Sequence, residues 1–310
     1  MILSDVLLYI GLVVIFPGFL FTVAIGLAAV WVDRKVTARI QWRVGPPWYQ
    51  PIADVIKLLS KETVVGQNSA RFTFLSAPFI GLAAVVVLAT ILWMASIRPA
   101  TGFVGDIIVI LYLLYVPSLA IIIGGSASGN PFGALGASRE MKLMLAYEAS
   151  FLVAVFTLVL KTGGILSLGG LVEYQQAYGP LIAQGPSTII AFIIALVYIP
   201  AKLGVGAFDI PEAECELIAG PYTEYSGAPF AAFKLIRAML MAVLPIFVIT
   251  LFAGSAWTPW AILWFVLILV ALIVFKNTNP RLRIDQALRF FWGPLLVLSL
   301  VGIALAAAGL

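Results

Sequence analysis

The feature that most constrains this chain is a series of uncharged apolar runs too long for a soluble core. They lie near residues 6–32, 72–97, 107–125, 143–160, 187–207, 230–253, 258–275 and 290–310. A helix needs about 20 apolar residues to cross the hydrocarbon of a bilayer, and each run is of that order. Of the 310 residues, 63% are hydrophobic and only 10% charged. The expected fold is all-α: one polytopic integral membrane domain over 1–310, with about eight transmembrane helices. The first run is expected to be a span and not a signal peptide, because MILSD lacks a basic n-region and the run exceeds an h-region. The turn signal SAWTPW at 255–260 divides what would otherwise be one run from 238 to 275. The stretch from Ile107 to Ser138 is also too long for one span. Its second part, GGSASGNPFGALGAS, reads as a Gly- and Ser-rich loop. No internal repeat of the transporter kind is present.

Basic residues set the expected orientation. The loops after the first, third and seventh runs carry Arg34, Lys35, Arg39, Arg43, Lys57, Lys61 and Arg71, then Arg139 and Lys142, then Lys276, Arg281, Arg283 and Arg289. Lys202, Lys234 and Arg237 flank the loop after the fifth, and the opposite side keeps Arg98 and Lys161. The positive-inside rule places the odd loops in the cytoplasm and both termini outside a cell membrane. Residues 33–71, 124–142 and 208–229 are therefore expected to be cytoplasmic. Within the first loop, PWYQPIADVIKLLSKE spaces Ile52, Val55, Ile56 and Leu59 along one face of a helix. That pattern predicts a short amphipathic helix on the membrane surface, with Trp48 and Tyr49 at headgroup level.

The chain has no histidine and one cysteine, Cys215. Haem, iron–sulfur clusters and most zinc sites need such ligands, so no metal or bound redox cofactor is expected in this chain. An intrachain disulfide is impossible, and Cys215 reads as a small buried residue. Electrons connected with the protein must pass through another subunit or a diffusible molecule.

Three stretches are too structured for plain connectors. DRKVTARIQWRVGPP leaves the first span with four bases, Arg34, Lys35, Arg39 and Arg43, at near-helical spacing. They suit membrane anchoring or an acidic partner. GGSASGNPFGALGASREMKLMLAYE leads into a helix carrying Arg139, Glu140, Lys142 and Glu148, and its glycines allow tight turns and close approach of another chain. Glu148 falls inside the apolar LMLAYEASFLVAV, where an acid usually faces the bundle interior or a water-filled cavity. Desolvation disfavours the charged form, so Glu148 is a candidate to exchange protons; an interfacial ion pair is the alternative. FDIPEAECELIAGPYTEYSG holds Asp209, Glu212, Glu214, Glu216 and Glu224 and no base. Were it helical, Asp209, Glu212 and Glu216 would share a face and their protons.

Taken in this order, DRK-x3-RIQ-x-RVGP, the segment ending in YE, FDIPEAE-x-EL with TEYSG, and NPRLRIDQ resemble the H subunit of respiratory complex I. The same family includes the equivalent membrane subunit of energy-converting membrane-bound [NiFe] hydrogenases. The resemblance covers roughly 30–292. It implies a non-catalytic subunit joining a peripheral redox arm to ion-translocating membrane subunits. On that reading Glu148, Glu140, Asp209, Glu212, Glu214, Glu216 and Glu224 form a proton relay. Asp33, Arg34, Lys35, Arg39, Arg43 and Arg139 dock the peripheral arm. Partners would be hydrogenase-like large and small subunits, an iron–sulfur subunit and antiporter-like membrane subunits, with ferredoxin as electron donor; no nucleic acid is involved. The [NiFe] centre and the iron–sulfur clusters belong to those partners.

Asp33 stands where complex I relatives usually have Glu, Pro47 where they have Asn, and Lys234 and Arg237 lie where they carry a Glu. With the compact GPPWYQP segment, these departures point to the hydrogenase-like branch. The alternative is the quinone-chamber subunit of complex I. A stand-alone secondary transporter would explain the buried acids but not the elaborate loops.

Overall fold

In the computed structural model the described residues are 10–310, with the side chains of Thr101, Glu214 and Cys215 outside the description. The start of the first run and the proposed role of Glu214 therefore fall outside the described residues, as does the burial of Cys215. The described chain is helical throughout its regular structure. The main elements are α1 (Phe19–Ile40), α2 (Gln50–Leu59), α3 (Arg71–Ile97), α4 (Asp106–Ala127) and α5 (Pro131–Lys161). They continue with α6 (Leu168–Tyr178), α7 (Pro186–Lys202), α8 (Gly227–Phe252), α9 (Pro259–Thr278) and α10 (Ile284–Ala307). Seven helical segments are long and apolar enough to cross a membrane, and α7 is a shorter apolar helix of 17 residues. Each of the eight apolar runs is thus matched by a helix, seven of them of membrane-crossing length and α7 shorter. α2 is the expected amphipathic helix, and it leaves Ile52, Ile56 and Leu59 exposed along one face. α8 ends at Phe252 and α9 begins at Pro259, so the SAWTPW break falls where the turn signal put it.

The Gly-rich stretch corrects the loop reading of 124–142. Only Ser128, Gly129 and Asn130 lie outside helices. Pro131 opens α5 with its pre-set φ, and the Asn130 side chain caps the new helix by accepting the Phe132 amide at 2.9 Å. The glycines serve packing instead of turning. A Cβ on Gly125 would stand 2.9 Å from Pro221 Cβ, and one on Gly136 would stand 2.6 Å from Pro221 Cδ. One on Gly124 would collide with the Tyr225 hydroxyl. The end of α4 and the start of α5 are bare so that the segment Gly220–Tyr225 can lie against them. Gly136→Ala is expected to cost about 1–3 kcal/mol through overpacking, read as a lower thermal midpoint of the purified protein; an unchanged midpoint would contradict the packing account.

The chain divides into two compact units. One comprises the chain up to Thr90, Tyr112–Met141 and Asp209–Val243. In it α1 and α8 approach closely because Gly26 sits on the backbone of Ala238. Gly81 of α3 faces Ala120 of α4 and Ile236 of α8. Tyr225 stacks on Phe74 with ring centroids 4.0 Å apart and donates its hydroxyl to the Phe74 carbonyl at 2.9 Å. The other unit comprises Ile91–Leu111, Lys142–Phe208 and Leu244–Leu310. There α10 packs on α7, with Gly302 facing Ile190. The Ser150 hydroxyl donates to the Phe291 carbonyl at 3.0 Å, at the start of a π-helical turn, Phe291–Leu295, inside α10. Buried side chains bind other turns by the same logic: Gln175 donates to the Thr250 carbonyl at 2.9 Å.

Candidate functional site

Each unit contains its own charged centre. In the second unit, α5 brings Glu148 and α7 brings Lys202 into contact. The Lys202 ammonium donates to Glu148 Oε1 at 2.7 Å, and the two side chains are only 0% and 4% exposed. The Tyr198 hydroxyl, one turn back on α7, donates to the same oxygen at 3.2 Å. Aromatic rings wall the pair. Phe151 stacks on Tyr198 at 3.8 Å, Tyr147 meets Tyr198 edge-on, and the Lys202 ammonium lies 5.3 Å from the centroid of Tyr147. Glu148 is buried, as its apolar surroundings in the sequence suggest, and it is ion-paired there with a base of α7. An ion pair so enclosed loses several kcal/mol per ion to desolvation and recovers it only through close geometry. Such a pair is poor value for stability and well suited to charge rearrangement, because moving one proton from Lys202 to Glu148 neutralises both.

From sequence alone Lys202 is one of the bases flanking a loop, with nothing to mark it as the partner of Glu148. One signal was available: it interrupts the apolar run IPAKLGVGAF, where a solvated loop base would have polar neighbours.

The first unit holds the acidic stretch, and it is not one helical face. Its regular structure comes in short separate turns, α-helical at Glu214–Leu217 and 3-10 at Gly220–Tyr222, with Asp209 and Glu212 outside both, so the condition for a shared face is not met. Instead the acids are dealt out to separate partners. Glu212 pairs with Arg237 of α8 at 2.5 Å. Glu216 pairs with Arg139 of α5 at 2.7 Å. Glu224 accepts from the Asn130 side chain at 2.5 Å. Asp209, Asp33 and Tyr222 lie within electrostatic range of Arg237, and Glu140, buried on α5, lies within range of Tyr222. Arg237 is thus the hub of this centre. The local reason is the irregular backbone after Phe208: Gly220 at φ +52° rests on the Pro211 carbonyl, a fit no side chain would allow.

Burial pushes the Tyr222 phenol well above its ordinary range, and the neighbouring Glu212 carboxylate adds to the rise. Burial likewise raises Tyr225. A raised folded-state value means the stabilising contribution is complete below the ordinary pKa and is lost as pH climbs through the higher one. One pH unit above the ordinary value of 10.0, Tyr222→Phe should therefore leave the tyrosinate absorbance of the folded protein unchanged. A drop in absorbance would show Tyr222 already ionised.

The expected docking residues divide by geometry. Arg34 turns to Asp54 of α2 at 2.7 Å, with both side chains near 40% exposed; such a pair is worth about 1 kcal/mol at most. Burial pushes the Asp54 carboxyl up, but hydrogen bonds from Arg34 and Gln50 outweigh it and hold the group below its ordinary range. Lys35 donates to the Gly45 carbonyl at 3.2 Å. Asp33 accepts from Thr37 at 3.4 Å. Arg39 and Arg43 remain exposed. Arg139 is shared between Glu216 and the Ile210 carbonyl.

Helices long and apolar enough to cross a membrane, with a buried ion pair between α5 and α7, define a polytopic membrane protein. The family model described as NADH dehydrogenase matches residues 11–307, and the chain belongs to that family. It is 36% identical to the H subunit of the NADH-quinone oxidoreductase of Thermomicrobium roseum, over 92% of each chain. It is also 36% identical to the protein of the same name in Syntrophotalea carbinolica, over 99% of each. Among solved structures it resembles a chain of the membrane-bound sulfane sulfur reductase, an archaeal respiratory membrane complex, with a TM-score of 0.81 and 25% identity. That match covers 93% of this chain and 96% of the other. The family resemblance read from the motifs is thereby established.

Proposed function

We propose that this chain couples electron transfer in a peripheral redox arm to proton or sodium-ion translocation in the membrane, within an energy-converting, hydrogenase-like complex. The observation that carries the reading is the enclosed Glu148–Lys202 pair with Tyr198 on the same oxygen. A protein with no histidine has few ways to move protons inside a bundle, and a buried carboxylate–ammonium pair is one of them. The Arg237 centre extends the same chemistry, with Glu212 paired and Asp209, Asp33 and Tyr222 around it. Iron–sulfur and [NiFe] chemistry belongs to partner subunits on this reading, with ferredoxin supplying electrons.

The likeness to a sulfane sulfur reductase chain supports an acceptor other than quinone, as do Lys234 and Arg237 at the opening of α8. A second reading, the quinone-chamber subunit, is favoured by the names of relatives at 36% identity. The complex reconstituted into sealed vesicles tests the coupling. An uncoupler should accelerate its electron transfer several-fold, and turnover should build an ion gradient. Turnover indifferent to the uncoupler, with no gradient, would overturn the proposal. A photoreactive quinone then separates the branches: specific labelling of this chain would select the quinone reading.

A further inference from the structure

The end of α1 presents one side chain that nothing in this chain accommodates. α1 closes with paired hydrogen bonds, from the Arg43 amide to the Ala38 carbonyl at 2.7 Å and from the Trp42 amide to the Arg39 carbonyl at 3.1 Å. This double closure puts the residue after the cap in the left-handed region, where glycine is the usual choice. Here that residue is Trp42, at φ +58°. Its side chain is 98% exposed, and Val44 beside it is 88% exposed. A large aromatic residue thus occupies a glycine position and gains no contact for it. Such strain persists where surrounding structure imposes it, and it gathers at functional surfaces.

The surrounding structure does impose it. After Arg43 the chain folds back on α1. Gly45 is buried against Lys35, whose ammonium binds the Gly45 carbonyl, and the Trp31 indole donates to the Pro46 carbonyl at 3.2 Å. Trp42 is therefore displayed on a fixed base. Arg39 and Arg43, both exposed, flank it, and neither has an ion-pair partner among the described residues.

Height decides between lipid and protein as the occupant. The uncharged part of the span ends at Val32, and the eight residues Asp33–Ile40 add about 12 Å of helix rise. The headgroup layer on each side of the hydrocarbon is about 5–8 Å thick. For a helix crossing upright with its hydrocarbon edge at Val32, that rise carries Trp42 beyond the headgroups, past the depth where interfacial tryptophans settle.

We infer that Trp42 is an anchor for a polypeptide surface of the peripheral arm, inserting into an apolar slot rimmed by carboxylates that Arg39 and Arg43 engage. Exposed Trp and Arg are the residue types that concentrate binding energy at interfaces. The inference rests on the reading that this face docks a peripheral arm, and it moves the contact from Arg34 and Lys35 to the residues at the tip.

The variant Trp42→Gly tests it, because glycine relieves the left-handed backbone while removing the indole. The isolated subunit should be at least as heat-stable as the wild type. In the complex, the fraction of peripheral arm retained through a salt wash on a native gel should fall about tenfold. Retention at the wild-type level would overturn the anchor. Arg39→Glu with Arg43→Glu is the companion. If it strips the arm while Trp42→Gly does not, docking stands and the anchor falls; if neither strips it, the docking reading fails as well. A photoreactive phenylalanine analogue at position 42 identifies the occupant. Cross-links to a polypeptide of the arm support the inference, and cross-links to lipid alone refute it.

Discussion

Lys202→Ala is expected to be among the most damaging single substitutions in this chain, lowering stability by about 3–5 kcal/mol. The change removes the ammonium 2.7 Å from Glu148 Oε1 and leaves a carboxylate that is 4% exposed and hydrogen-bonded to the Tyr198 hydroxyl, with no compensating charge beside it among the described residues. It also vacates the space over the Tyr147 ring. Thermal denaturation of the purified complex should register the loss as a clearly lower midpoint and poorer assembly. The paired change Lys202→Met with Glu148→Gln should recover much of it, since an apolar chain of similar length and a neutral amide leave no unpaired charge. A single Lys202→Ala variant as stable as the wild type would mean that the pair is not enclosed as described.

Glu148→Gln is expected to act on function most strongly. Glutamine keeps the size of the side chain and can still accept from Tyr198, but it cannot take up a proton. If the pair were only structural, the variant's defect would be one of assembly and midpoint, shared in proportion by every activity of the complex. If Glu148 relays protons, the fraction that assembles should still pass electrons from artificial donors to its acceptor. Ion translocation should then fall by an order of magnitude or more. The separation of the two activities carries the information, because a loss of folded material cannot separate them.

The spans were readable from sequence because each is bounded by charge or by a turn signal, as Pro259 shows at the head of α9. The family was readable from its motifs. What sequence did not show is where one residue type serves two physical ends. Glycines 124, 125 and 136 looked like turn-formers, yet they are bare helix surface under Pro221 and Tyr225. Asp209, Glu212 and Glu216 have helical spacing, yet their backbone is irregular, and Glu212, Glu216 and Glu224 find partners in Arg237, Arg139 and Asn130. Lys202 was visible only as a positive charge; that it meets Glu148 depends on how α5 and α7 pack, which no periodicity encodes. The four bases after the first span likewise looked equivalent. Structure divides them into two that hold this chain together, Arg34 and Lys35, and two that face outward, Arg39 and Arg43.

On the proposed function, Glu148, held by Lys202, carries protons for coupling. The most direct measurement is the number of ions translocated per electron by Glu148→Gln complexes, isolated by size as intact assemblies and reconstituted in sealed vesicles. Electron transfer with the ion-to-electron ratio reduced toward zero is the predicted result. A wild-type ratio in the intact variant would contradict the account.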